Sequence, residues 1–228
     1  MWLAGVDGCR TGWIAVLARL EAGQLTDWRP RHMPAIEGIE TLAEQPRWVA
    51  LDIPIGLLEH PQKGGRLADQ TVRRALGRPR ASSVFSPPAR SVFTEKAFRA
   101  GLGISLQGFH IMPKIREVDA WIDPDKQKRV FEAHPEWAFA QLAGAPIQHP
   151  KKKKVGRAAR LAVLEQCCPA FGAWYGALGR LPRGVARDDL IDAAVLVLTA
   201  RRRALGCAAR APQDPPRDAR GLLMEIWG

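Results

Sequence analysis

Acidic residues stand at the ends of several apolar segments of the sequence. Asp7, Asp52 and Glu132 each close or follow a short apolar run, and Asp189 and Asp192 have the i, i+3 spacing that puts both on one helix face. Carboxylates gathered at one site repel one another and are costly to remove from water, and a divalent cation relieves both effects. The pattern predicts a Mg²⁺ or Mn²⁺ site with Asp7, Asp52, Asp189 and Asp192 as ligands and all five acids as catalytic residues.

Each of these acids also has an ordinary structural explanation. Asp188 and Asp189 suit the first turn of a helix, where the helix dipole favours negative charge, and Asp7 suits a turn. The metal interpretation therefore depends on the whole set of acids. His134 is a further candidate, either as a proton donor or ligand or as a structural histidine at the end of a strand.

The first three acids lie on segments that the sequence predicts as strands. Residues 2–7 and 12–20 are typical of a hairpin, a weaker third strand follows near 27–33, and residues 47–56 and 128–136 have strand character. The continuous apolar run in 47–56 is typical of a strand buried on both faces. Ligand sites of open α/β sheets form at the carboxyl ends of strands, so the acids are expected to meet at one edge of the sheet.

Helical patterns surround these strands. The sequence predicts helices over 35–43, 137–143, 155–167 and 186–205, the last with an apolar side that docks on the sheet. Residues 63–127 form a block of helical segments cut by Gly and Pro, with helices over 65–76, 88–99 and 105–122, the last interrupted at Pro113, and a loop over 77–90. The order of elements predicts one α/β domain over 1–228, with a mixed sheet, helices on both faces, a helical insertion at about 63–127 and a carboxyl-terminal tail that docks on the rest.

Basic residues give the chain a formal net charge of +11. Such a charge favours a polyanionic partner, nucleic acid before a membrane, although a general compositional bias toward arginine explains it equally well. Arg116 also has the alternative of an ion pair with Glu117, and the lysine run 151–154 is most simply a solvated segment. The predicted contacts to a phosphodiester substrate are Arg10, Arg80, Ser82, Ser83, Arg90, Lys114 and Arg116.

The four cysteines form no C-x-x-C pair, and no histidines have zinc-finger spacing, so neither zinc nor a disulfide is predicted. No apolar segment has the length of a membrane span, and the amino terminus lacks the pattern of a signal peptide. We therefore expect a cytoplasmic protein with no membrane partner.

Seven segments of the sequence together resemble the bacterial family of predicted RNase H-like nucleases (domain of unknown function, family 429). They read GVDGCRTGW, LDIPIG, SSVFSPPAR, LQGFHIMPKIREVD, FEAHPE, DDLIDAA and PPRDARGLLMEIW. The resemblance implies a three-layer RNase H-like fold: a five-stranded mixed sheet with an antiparallel second strand, helices on both faces, and the helical insertion between the fourth and fifth strands.

The resemblance also implies a placement of the acids. Resolvase-type enzymes of that superfamily carry one Asp on the first strand, an acid on the fourth and D-x-x-D on the last helix. Asp7, Asp52 and the Asp189/Asp192 pair match these places, whereas Glu132, on the fifth strand, departs from the pattern.

The leading functional hypothesis is a metal-dependent nuclease that acts on DNA or RNA. A non-catalytic nucleic-acid-binding or adaptor protein with the same fold is the main alternative. An ATP-dependent phosphotransferase is a third class, since DGCRTG loosely resembles a phosphate-binding hairpin, but 228 residues are too few for the duplicated core that such enzymes need.

Overall fold

Five strands form one mixed sheet in the computed structural model, which describes residues 1–99 and 101–228. The strands are β1 (Trp2–Cys9), β2 (Gly12–Glu21), β3 (Gln24–Met33), β4 (Trp48–Leu51) and β5 (Val130–Glu132). Their order is β3-β2-β1-β4-β5; β2 runs antiparallel to both neighbours, and β1, β4 and β5 are parallel. The expected five-stranded mixed sheet with an antiparallel second strand is confirmed.

The two parallel strands after β1 are shorter than their sequence patterns predict. β4 has four residues and β5 has three, where strand character extends over 47–56 and 128–136. β4 ends at Leu51, and Pro54 lacks a backbone donor that could extend it; Pro135 begins a helix three residues after the end of β5. Both strands are therefore short, and the residues that follow them lie at the edge of the sheet.

The α-helices are α1 (Leu67–Leu76), α2 (Leu106–Trp121), α3 (Pro135–Ala143), α4 (Lys154–Cys167), α5 (Pro169–Gly176) and α6 (Arg187–Ala204). One face of the sheet packs against α6, with α3, α4 and α5 around it, and the other packs against α2 and a 3₁₀ turn at Ile36–Glu40. Helices therefore cover both faces, as expected. None of the helices in the described ranges is long and apolar enough to cross a membrane.

Gly5 brings α6 into close contact with the central strand. A Cβ atom at this position would lie 2.0 Å from the carbonyl oxygen of Ala193 and 2.6 Å from the amide nitrogen of Val197. Any side chain on residue 5 would therefore hold α6 away from β1. The backbone of the helix that carries Asp189 and Asp192 rests directly on the strand that carries Asp7.

The block 63–127 differs in part from its sequence pattern. α2 runs through Pro113, and the predicted helix over 88–99 is wrong, since it contains a single 3₁₀ turn at Arg90–Val92. The predicted helix over 35–43 is likewise a 3₁₀ turn, and α5 is not predicted. Ile115 and Val118 of α2 pack on the sheet, so this helix belongs to one layer. The division into a single domain with an insertion stays a prediction.

The carboxyl-terminal tail docks on the rest of the chain, as expected. β7 (Ile226–Trp227) pairs with β6 (Arg210–Ala211), and the carbonyl of Trp227 accepts a hydrogen bond from the backbone of His134. Leu222, Met224 and Ile226 are buried. The tail thus fixes the segment after β5 from the outside.

Candidate active site

Asp7 and Asp52 lie side by side where the parallel pairing of β1 and β4 ends. Val6 and Leu51 are the last register partners of the two strands, and the amide of Asp52 donates to the carbonyl of Val6 at 2.9 Å. Side chains alternate along a strand, and Val6 and Leu51 face α2. The two carboxylates therefore point to the other face of the sheet, where α6 lies.

Helix α6 adds two more carboxylates from that face. Asp192 is 2% exposed, and its Oδ2 pairs with the Nζ of Lys151. Asp189, one turn earlier and half-buried, accepts a hydrogen bond from the amide of Ala186 at 2.8 Å and so caps its own helix. The structural explanation for Asp189, a first-turn acid, therefore holds beside any functional one.

A cleft of about 630 Å³ collects these side chains. Its polar lining includes the acids Asp7, Asp52, Glu132, Glu136, Asp189 and Asp192 and the basic residues His110, Lys114, His134 and Lys151. The cleft opens at the carboxyl ends of β1, β4 and β5, which is the edge that the sequence predicts.

The carboxylates in the cleft resist ionisation. Burial raises the pKa of Asp7 well above its usual range, with further contributions from the charges of Asp52 and Asp192. Burial and the charge of Asp192 raise the pKa of Asp52 to about 8. Burial also raises the pKa of Asp192, against the effect of Lys151. Ionising these carboxyl groups without a bound cation therefore costs free energy, as in sites that bind cations.

Lys151 is the cation that meets these charges. Burial would lower the pKa of its ammonium, but Asp192, Asp7 and Asp52 together raise it. The side chain of Lys151 therefore stays protonated and offsets part of the negative charge of the cleft.

The four predicted ligands share the cleft but are not arranged around a common point. Among the described residues, no three His, Cys, Asp or Glu side chains form a group that could hold a metal ion as they stand. The expectation of a ready metal-sized cluster is therefore wrong, and two contacts explain the difference. Asp192 is paired with Lys151, and Asp189 is turned back to the amide of Ala186.

The donor chemistry of the cleft nevertheless fits a hard divalent cation. Carboxylate oxygens are the ligands that Mg²⁺ and Mn²⁺ prefer. No group in residues 1–99 and 101–228 donates a hydrogen bond to the carboxylate of Asp7 or Asp52, so the oxygens of both are free for a ligand.

Glu132 has a different environment from the other predicted acids. Its Oε1 accepts from Arg66 Nη2 at 2.7 Å, and its Oε2 accepts from Arg66 Nη1 at 2.8 Å and from the amide of Ile55 at 2.7 Å. Arg66 is 1% exposed and also pairs with Asp69 at 2.6 Å. Burial raises the pKa of Glu132 to about 7, and Arg66 opposes the rise. Both oxygens are occupied, which favours a structural role for Glu132.

Ser83 and Lys114 are the two predicted substrate contacts that line the cleft. Lys114 Nζ donates to the carbonyl of Gly12 at 2.5 Å and lies 4.4 Å from the ring centroid of Trp13. The Oγ of Ser83 donates to the carbonyl of Arg80 at 2.7 Å. The remaining candidates, which lie outside the lining, are Arg10, Arg80, Ser82, Arg90 and Arg116.

Arg90, in the 77–90 loop, lies outside the cleft because it forms ion pairs with other parts of the chain. Its guanidinium pairs with Asp119 at 2.8 Å, with Asp218 at 2.6 Å and with Glu59 at 2.6 Å. These three acids come from separate parts of the chain, so Arg90 ties the loop to α2 and to the tail. Arg116, for its part, is exposed and lies 5.9 Å from the ring centroid of Phe93. The expectation that this loop and Arg116 border the cleft is therefore wrong for Arg90 and Arg116.

Glu136 and Lys151 line the site although the sequence predicts no role for either. Glu136 is 8% exposed, and its Oε1 accepts from Arg160 Nη2 at 2.5 Å. Lys151 is one of four consecutive lysines, and sequence alone does not separate it from its neighbours. The FEAHPE segment contains Glu136 close to Glu132 and His134. This density of titratable residues was the feature of the sequence that could have identified Glu136 as a site residue.

His134 lines the cleft from the start of α3. Burial lowers the pKa of its imidazole, and its Nε2 lies 3.3 Å from the carbonyl oxygen of Ser83. Nδ1 is buried without a hydrogen-bond partner among the described residues. The ring is thus neutral near physiological pH and holds one nitrogen unused by the fold.

The model of the family described as "Protein of unknown function (DUF429)" matches residues 5–217, and the chain belongs to this family. Among solved structures, T. thermophilus RuvC in complex with Holliday junction substrate is similar to this chain. The sequence identity is 14% and the TM-score is 0.35, and the match covers 91% of this chain and 97% of that chain. A likeness of this degree carries no conclusion about activity. No curated protein matches the chain.

Proposed function

We propose that this member of the DUF429 family is a Mg²⁺- or Mn²⁺-dependent phosphodiesterase that hydrolyses nucleic acid. The observation that carries the proposal is the meeting of Asp7, Asp52 and Asp192 in one cleft, where burial raises the pKa of all three and the charge of Asp192 adds to the rise at Asp7 and Asp52. A fold keeps such a destabilising set where a bound cation compensates for it.

Asp7, Asp52 and Asp192 are the side chains that would hold the ion, with Asp189 as a fourth ligand once it leaves the amide of Ala186. A bound divalent ion supplies a water of lowered pKa as nucleophile and offsets the charge that develops on the phosphodiester. The acids themselves stay ionised in that state, because the ion favours their charged form over the neutral form that burial favours.

Lys114 and the turn after β1 are placed to receive a phosphate. Lys114 presents its ammonium beside the backbone of Gly8 and Gly12, and a Cβ on Gly8 would lie 3.0 Å from the Lys114 side chain. Gly12 has a φ of +137° and would collide with the backbone of Met33 if it carried a Cβ. The two glycines therefore let the Lys114 side chain and the Met33 backbone pack directly against the turn, and the Lys114 ammonium is the group there that would contact a phosphate.

His134 is the residue that would move a proton in this site. Because burial lowers its pKa, the imidazole is neutral at physiological pH. When the ring hydrogen is on Nε2, Nδ1 has a free lone pair and can accept a proton. The net charge of +11 supports a polyanionic substrate, which the rest of the basic surface attracts over longer distances.

The proposal is tested by substituting Asp7→Asn and comparing it with Asp125→Asn, a matched change at a carboxylate whose side chain is 89% exposed. The wild-type protein and the control are expected to melt at higher temperature in Mn²⁺ than in EDTA and to cleave members of a panel of linear and branched DNA and RNA. Asp7→Asn is expected to lose both effects while it still folds. Wild-type protein that gains no stability from Mn²⁺ and cleaves no substrate would contradict the proposal.

A non-catalytic nucleic-acid-binding or adaptor protein is the second candidate function. The ion pair between Lys151 and Asp192 favours it, because part of the acidic charge is offset without any metal. Retained nucleic-acid binding in the wild-type protein, without cleavage and without a response to Mn²⁺, would support this alternative.

A further inference from the structure

Lys151 differs from the other lysines of the basic run because its side chain enters the acidic cleft. Its Nζ pairs with Asp192 Oδ2, and it lines the same cleft as Asp7 and Asp52. Lys152 and Lys153 are exposed and have no ion pair within the described ranges. Lys151 is therefore the lysine of this run whose side chain contacts an acid of the cleft.

The backbone around Lys151 is fixed by two buried contacts. Gly156 packs against the carbonyl oxygen of Pro150, where a Cβ would lie 2.1 Å away. Arg160, which is 1% exposed, donates from Nη1 to the carbonyl of His149 at 3.1 Å and from Nη2 to Glu136 at 2.5 Å. The same arginine thus holds a carboxylate of the cleft and the segment from which Lys151 enters it, so the placement of Lys151 is part of the fold.

The carboxyl groups of the cleft can ionise together only when a cation lies beside them. Three buried carboxylates close together cannot all ionise without one. Lys151 supplies a single positive charge at Asp192, in the place where a divalent ion would need the same oxygen. Two cations at one carboxylate repel each other, so a divalent ion bound to Asp192 weakens the attachment of Lys151.

We infer that Lys151 is a tethered counter-ion that occupies part of the metal site in the metal-free protein and is displaced when a divalent ion binds. The inference rests on the proposed function, since it takes the cleft as a metal site. The side chain of Lys151 is 44% exposed, so its ammonium can move to solvent while the backbone contacts of Pro150 and His149 stay in place. Metal binding is then an exchange of one cation for another.

The test compares Lys151→Met, which removes the charge and keeps an unbranched side chain, with Lys152→Met, the same change at the adjacent exposed lysine. Lys151→Arg keeps the charge and serves as the conservative variant. Two readouts are taken on the whole chain: the melting temperature in EDTA, and Mn²⁺ affinity from the electron paramagnetic resonance signal of the free ion.

Lys151→Met is expected to melt at lower temperature than wild type in EDTA and to bind Mn²⁺ about tenfold more tightly, within the usual range of coupling between two ligands. Lys152→Met is expected to match the wild-type protein in both readouts, and Lys151→Arg to stay close to wild type in its EDTA melting temperature. Equal or weaker Mn²⁺ binding by Lys151→Met, with normal binding by wild type, overturns the inference and leaves the proposed function standing. An absence of Mn²⁺ binding in all variants contradicts the proposed function, and the inference with it.

Discussion

Glu132 is the register partner of Leu51, so its side chain points to the opposite face of the sheet from that of Asp52. Paired residues on neighbouring strands share a face, and Leu51 faces α2. The acids at this edge of the sheet therefore point to two faces, although the charge of Glu132 still raises the pKa of Asp52. Asp52 meets the charges of α6, and Glu132 meets the guanidinium of Arg66.

Substitution of Glu132→Gln is expected to lower the free energy of unfolding by about 3 kcal/mol, because it weakens the charge balance of the buried Arg66. Urea denaturation at neutral pH measures the loss. Mn²⁺ affinity should remain that of the wild-type protein. A variant of unchanged stability that no longer binds Mn²⁺ would instead make Glu132 a ligand.

The pKa of Asp52 predicts a pH dependence of opposite sign from that of a salt-bridged carboxylate. Its pKa in the folded protein is about 8, above the ordinary value of 3.8, so folding favours the protonated form. The contribution of Asp52 to stability is then greatest below its ordinary pKa and is lost as the pH rises toward 8. Metal-free wild-type protein is expected to be less stable at about pH 8 than at about pH 5.5.

Asp52→Asn should remove much of this dependence and should be about 2 kcal/mol more stable than wild type in EDTA at the higher pH. Denaturant melts over a pH series measure both effects. Asp125→Asn is the control, since the same substitution there removes an exposed charge. A slope that is equal in wild type and Asp52→Asn would show that other groups set the pH dependence.

Lys114 and Arg116 provide a matched pair of basic residues, two positions apart on α2. Lys114 lines the cleft, whereas Arg116 is exposed outside it. Lys114→Gln is expected to weaken nucleic-acid binding and to reduce the slope of log affinity against log salt concentration by about one. Arg116→Gln should change neither quantity appreciably. Fluorescence anisotropy over a salt series distinguishes them, and equal effects would place the binding surface outside the cleft.

Gly5→Ala is expected to destabilise the fold by about 3 kcal/mol, since the new methyl group overlaps the backbone of α6 at Ala193. Gly179→Ala is a suitable comparison, because a Cβ there meets no atom within 4 Å and the residue is not among those with a positive φ. Chemical denaturation should show a much larger loss for the first variant. Comparable losses would mean that α6 readily moves away from β1.

The sheet and its acidic edge could be predicted because both depend on local patterns. Alternating and continuous apolar runs identified all five strands, and an acid that follows such a run marks the carboxyl end of a strand. Asp7 and Asp52 share the cleft for that reason, and Asp192 reaches it from α6, where its i, i+3 spacing with Asp189 was the signal. Family membership was also predictable, from motifs spread along the chain.

The basic residues could not be assigned in the same way, because their roles depend on contacts between distant parts of the chain. Arg90 meets Asp218 across 128 positions, and Lys151 meets Asp192 across 41. Arg160 and Glu136 lie on separate helices and meet in the interior. No local pattern separates an arginine in a buried network from one on the surface, so fewer of the predicted substrate contacts than of the predicted acids line the cleft.

The contact between Gly5 and α6 has a consequence for how the site can move. It joins backbone to backbone, two residues before Asp7 and one residue after Asp192, so the mutual position of these two acids does not depend on side-chain packing. Amide protons around 193–197 should therefore exchange with solvent only through global unfolding. They should be among the slowest in the protein both with and without a bound metal. Rearrangement during ion entry then involves the side chains of Lys151 and Asp189, and hydrogen exchange should change at the amide of Ala186, which Asp189 releases, while the strand and helix that bear the acids stay closed.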